Sequence, residues 1–121
     1  MSSVNKVLLL GNLTAEPDVR GLPSGQQVCN LRLAVNREYL SSSGQPVTET
    51  CYVDVSVFGR TATTCKQFLY KGAAVFIEGR LHLEQWTDRE GQQKQKLKVI
   101  SENIQFCDQP RFERNPPRRP E

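Results

Sequence analysis

Four large rings, Tyr39, Tyr52, Phe58 and Trp86, stand outside the ordinary apolar pattern of this chain. Flat apolar faces beside positive charge suit stacked nucleobases, because every base offers a π-face. Tyr52 and Phe58 share one parity of the alternating segment YVDVSVF, opposite Val53, Val55 and Val57. If the valines fill a core, both rings face solvent or a partner, and burial between subunits competes with a stacking platform. Trp86 follows His82, Glu84 and Gln85 at the end of a strand-like run and opens a turn at Thr87 and Asp88. A core side chain is unusual in such polar company; the alternatives are base stacking, packing over a hairpin base or a subunit contact. Tyr39 closes another strand beside Arg37, where cross-strand packing serves equally well.

Positive charge is modest, so its local arrangement must carry the argument. The chain has 121 residues, with 16 Lys and Arg against 13 Asp and Glu, a formal charge of +3. This balance permits a polyanionic partner without demanding one. Lys6, Arg32, Arg37, Arg60, Lys66, Lys71 and Arg80 are scattered over several elements, which a barrel can bring to one groove. Lys94, Lys96 and Lys98 alternate, so they share one face of a strand and form a positive stripe. Such a stripe is a track for phosphates, or else a solvated edge that guards against strand pairing.

Other chemistry finds little material. His82 is the only histidine, and no nucleophile elbow, P-loop or dinucleotide fingerprint occurs, so no catalytic constellation is assembled. Asp54, between Tyr52 and Phe58, is a single carboxylate that can bond an arginine or a base amino group. Cys29, Cys51, Cys65 and Cys107 include no CxxC pair, which argues against zinc. The first three read as small buried hydrophobes and Cys107 as exposed. No cofactor is implied. The apolar stretch at the start is too short for a membrane span and lacks a signal-peptide pattern, so the cytoplasm is the expected setting.

The elements that position these residues read as five strands. Val4 to Leu13 is apolar enough to be buried on both faces or to line a subunit contact. Thr14 to Gln27, with Pro17, Gly21, Pro23 and Gly25, reads as a long irregular connection. Val28 to Asn36 alternates, and SSSGQP forms a hairpin tip. Thr50 to Gly59 is the third strand, with Cys51, Val53, Val55 and Val57 towards the core. A short helix spans Thr61 to Tyr70, and Gly72 ends it. Ala74 to Leu83 is the fourth strand, with Gly79 allowing it to bend, and a fifth strand reaches Phe106.

This order suits an all-β fold, a five-stranded barrel of the oligonucleotide/oligosaccharide-binding (OB) type with one short helix between strands 3 and 4. Residues 1–106 form that domain. Residues 107–121 hold four of the seven prolines without apolar periodicity and read as a disordered tail.

The segments NKVLLLGNLTAEPDVRGLPSGQQVCNLRLAVNREY, YVDVSVFGR, FLYKGAAVFIEGRL and EQWTDREGQ resemble the bacterial single-stranded DNA-binding protein family over Asn5 to Phe106. The resemblance implies an OB barrel, usually a homotetramer with a dimer as the smaller option, over which single-stranded DNA wraps. It implies stacking by Tyr39, Tyr52, Phe58 and Trp86, two of which are commonly Trp in relatives, and basic contacts by Lys6, Arg60 and Lys71. Glu84 and Gln85 replace residues often basic in relatives, and Val53 replaces a histidine at the usual subunit contact. Typical members end in an acidic tip that recruits replication and repair proteins; here PPRRPE stands last, as in a truncated sequence or a short paralogue. In the short form, Arg114, Arg118 and Arg119 would add loose phosphate contacts. The expected function is non-catalytic, largely sequence-independent binding of single-stranded DNA in replication, recombination and repair. The alternatives are a barrel of the primosome type whose rings serve protein contacts, and RNA binding, which shares nearly every feature.

Overall fold

The computed structural model of the chain describes residues 2–107. Its elements are β1 (Val7–Leu13), β2 (Asp18–Gly21), β3 (Gln27–Leu40), β4 (Pro46–Phe58), α1 (Arg60–Phe68), β5 (Ala74–Thr87) and β6 (Gln93–Phe106). The tail beyond residue 107, including Arg114, Arg118 and Arg119, lies outside the described residues.

One turn chemistry builds three hairpins. The turns LPSGQ, SSSGQ and DREGQ join β2 to β3, β3 to β4 and β5 to β6. In each, the first residue's N–H donates to the glutamine carbonyl and the glycine N–H donates to the first residue's carbonyl, at 2.8 to 3.0 Å. The glycines Gly25, Gly44 and Gly91 have φ between 81° and 91°, the left-handed conformation that closes a three-residue loop.

β1 closes the barrel. It pairs antiparallel with β5 from Val7 to Asn12, and Asn12 and Leu13 also pair with β3. β3 pairs with β4 along Val28 to Leu40, β5 with β6, and β4 joins β6 in parallel at Val55–Val99 and Ser56–Ile100. β1, β3, β4, β5 and β6 thus make the expected five-stranded OB barrel with one helix among its strands, and β2 is an added strand on the edge of β3. The barrel interior holds Leu13, Cys29, Leu31, Leu33, Val55, Val57, Val75, Ile77 and Val99, all buried. Ala62 and Cys65 of α1, followed by Leu69, Tyr70 and Ala73, pack against the same core.

Gly79 permits the tightest contact. The β5–β6 register slips between Glu78 and Gly79, and a Cβ at Gly79 would collide with the carbonyl oxygen of Ile100. The bend expected there is real, and its cause is a close strand approach.

Several expectations change. The connection from Thr14 to Gln27 is not wholly irregular, because β2 pairs with β3 through Asp18–Asn30 to Gly21–Gln27. Leu8 and Leu10 are each 60 % exposed, so β1 is not buried on both faces within one protomer. Cys51 is exposed although its parity matches the core valines, as are Leu81 and Leu83. The cause is shared: beyond Val55 and Val99, the β3–β4 and β5–β6 ribbons leave the barrel as arms, and no layer among the described residues covers that face. Cys29 and Cys65 are buried and Cys107 is exposed, as expected.

Candidate nucleic-acid interface

The two arms frame a groove. Strands β3 and β4 contribute Val28, Asn30, Asp54, Ser56 and Phe58, while Glu84, Lys96 and Lys98 come from β5 and β6. The cavity between them measures about 440 Å³ and is open to solvent. Its position follows from topology. β4 and β6 hydrogen-bond only at two residue pairs, so the arms diverge from there and leave a channel.

Of the four rings Phe58 lines this cavity, and strand pleat decides which of the others share its face. Tyr52 and Phe58 share the groove-side parity of Asp54 and Ser56, and Trp86 shares that of Glu84. The three rings are 57 %, 36 % and 44 % exposed, in that order, so their faces are available to a ligand. Trp86 does not open a turn. It lies inside β5, directly opposite Lys94. Tyr39 sits across from Val47, on the reverse face of the β3–β4 arm, where Arg37 lies 4.6 Å from its ring centre. The pleat thus separates Tyr39 and Arg37 from the other rings.

The basic groups are present but paired. Lys94, Lys96 and Lys98 do share a face, yet each meets a carboxylate: Asp88 at 3.9 Å, Asp54 at 2.5 Å and Glu84 at 3.6 Å. Arg32 donates to Asp54 at 3.3 Å and also lies 5.3 Å from the centre of the Tyr52 ring. Arg37 pairs with Glu49 at 3.2 Å. The expected positive stripe is interleaved with carboxylates: Asp88 from the turn before β6, Glu84 from the neighbouring strand β5, and Asp54 from the other arm.

Lys6 and Arg80 belong to another cluster, beside the β5–β6 slip. Lys6 contacts Glu78 at 2.7 Å and Glu102 at 3.7 Å, while Arg80 reaches Glu102 at 3.2 Å. The hydrogen bond between Lys6 and Glu78 raises the Lys6 ammonium above its ordinary range and holds the Glu78 carboxyl below its own. Arg60 opens α1 and Lys71 follows it, both outside the groove lining.

Two groove residues carried no sequence signal of their own. Ser56 is buried and its hydroxyl donates to the Asn30 side chain at 3.0 Å, joining β4 to β3 beneath the rings. Among the described residues, no group of His, Cys, Asp and Glu is placed to hold a metal ion. No helix among them is long and apolar enough to cross a membrane.

The model of the single-strand binding protein family matches residues 4–107. The chain is 46 % identical over 104 residues to a single-stranded DNA-binding protein of Wolinella succinogenes, covering 86 % of this chain and 64 % of that one. With the protein of the same description from Helicobacter hepaticus, identity is 40 % over 113 residues, 93 % of this chain and 66 % of the relative. The chain thus spans about two thirds of the length of these curated relatives. Among solved structures, a deletion mutant of the single-stranded DNA binding protein from Thermus aquaticus superposes with a TM-score of 0.76 at 36 % identity. That match covers 87 % of this chain and 51 % of the other. The Plasmodium falciparum SSB in complex with ssDNA gives 0.79 at 26 % identity, over 89 % and 98 % of the two chains.

Proposed function

This chain belongs to the single-strand binding protein family, and from that membership we propose that it binds single-stranded DNA without catalysing a reaction on it. The observation that carries the reading is the groove face shared by Tyr52, Phe58 and Trp86, three exposed rings bordered by lysine and arginine. Bases stack on the rings, and phosphates run along Lys94, Lys96, Lys98 and Arg32. Stacking and phosphate contact are both indifferent to base identity, so recognition is largely sequence-independent. Such binding protects single strands and removes their secondary structure during replication, recombination and repair. Tyr39 and Arg37 meet a strand only where it passes around the reverse of the β3–β4 arm. Roles for Lys6, Arg60, Lys71 and Arg80 lie on a longer path outside the groove.

Self-association belongs to the same proposal. Among the described residues, β1 leaves its Val7–Gly11 edge without a strand partner, and Leu8 and Leu10 project from it into solvent. An exposed apolar edge strand is a template for pairing with a second copy, which favours a dimer that can build to a homotetramer. Recruitment of replication and repair proteins through an acidic tip would require a segment beyond Glu121, and the working compartment is the bacterial cytoplasm.

Paired titrations with equal lengths of single-stranded DNA, RNA and duplex DNA test the reading. It requires single-stranded DNA to bind more tightly than the duplex; equal or weaker binding to the single strand contradicts it.

A further inference from the structure

Asp54 occupies an unexpected place for a carboxylate. It lies on the groove face between Tyr52 and Phe58, roughly 7 Å along the strand from the first and about twice that from the second, where a stacked strand must pass. Its Oδ1 accepts from Arg32 across the β3–β4 ladder, and its Oδ2 meets the Lys96 ammonium. Lys96 comes from the other arm, beyond the last residues at which β4 and β6 share backbone hydrogen bonds. One carboxylate therefore neutralises a basic group from each wall of the groove. Half-exposed ion pairs contribute little to fold stability, so the consequence of this one falls on whatever anion enters the groove.

We infer that Asp54 is an affinity-limiting residue of the groove, a latch on Arg32 and Lys96 that a phosphate must displace. This rests on the reading of the groove as a single-stranded DNA site. Where an unpaired lysine meets a phosphate, the nucleic acid releases a condensed cation, and binding weakens as salt rises. Where the lysine first leaves a carboxylate, that carboxylate takes up a cation and cancels one release. Asp54 therefore lowers affinity at low salt and makes binding less sensitive to salt. Such a groove binds and releases strands over a wider range of ionic strength than a purely basic one.

The experiment compares wild type, Asp54→Asn and Asp54→Ser with a thymidine oligomer short enough to fill one groove, across a salt series. Asp18→Asn removes an equal charge from the Asp18–Arg20 pair, outside the groove, and serves as the control. The Asp54 variants are expected to bind roughly fivefold more tightly at low salt. Their log–log salt slope should be steeper by about 0.7 for each groove filled, with the control unchanged. Two substitutions at Asp54 keep the test available if one fails to fold. A wild type that ignores the oligomer removes the single-stranded DNA reading, and this inference with it. A wild type that binds, with Asp54 variants of unchanged or shallower slope, overturns the latch alone, as does equal steepening in Asp18→Asn.

Discussion

Trp86 of β5 stands directly across the ladder from Lys94 of β6, so the chain's single indole and that lysine share one face of the arm. In the proposed mode a base would stack on that ring and its phosphate would meet the lysine. Replacing Trp86 or Phe58 with Ala should weaken binding of a labelled thymidine oligomer by about 1–3 kcal/mol each, the cost of one lost stack. Anisotropy titrations measure the loss, and sedimentation should show the assembly state unchanged. Intact DNA binding with disrupted assembly would instead assign the rings to protein contacts.

Gly79 tests the barrel. An added methyl would meet the Ile100 carbonyl oxygen and the Val99 side chain where β5 crosses β6. Gly79→Ala should therefore destabilise the fold by roughly 1–3 kcal/mol, the usual cost of overpacking, read as a lowered midpoint in thermal or urea unfolding.

Much of this fold is legible in sequence, since alternation marks the long strands and glycines mark the hairpin tips. β2 escapes because the prolines and glycines around it resemble a loop, although LPSGQ repeats the turn of SSSGQ and DREGQ. Alternation assigns a residue to a face but cannot say whether anything covers that face. Cys51, Leu81 and Leu83 follow the core parity into arms that have left the core, so they are exposed. Pleat also explains why Tyr52 and Tyr39, on the paired strands of one hairpin, occupy opposite faces. The pairing of Lys96 with Asp54 and of Lys98 with Glu84 depends on register and arm curvature, which no local pattern encodes.

Thiol chemistry should divide the cysteines evenly. Cys51 and Cys107 are exposed and should react rapidly with a disulfide reagent in the native protein. Cys29 and Cys65 are fully buried, and contact with Cys29 together with burial pushes the Cys65 thiol up. Both should react only on unfolding, and the time course of thiol titration separates the classes.

The Lys6–Glu78 pair makes a small pH-dependent contribution to stability. Because the Glu78 carboxyl is lowered from its ordinary 4.5, its share is complete above that pH and disappears as pH falls through the depressed value. The Lys6 ammonium is raised from 10.5, so its share is complete below that pH and disappears as pH rises through the raised value. Glu78→Gln should thus be less stable than wild type between these limits and converge with it beyond either, as followed by unfolding across pH.

Trp86 fluorescence during titration with oligothymidine at low and high salt reports on single-strand binding at the groove itself, because this one indole lies on the groove face. Base stacking and phosphate contact predict quenching that saturates with oligomer and a dissociation constant that rises with salt. Fluorescence that stays constant, with no salt-sensitive binding by any parallel measure, would contradict both.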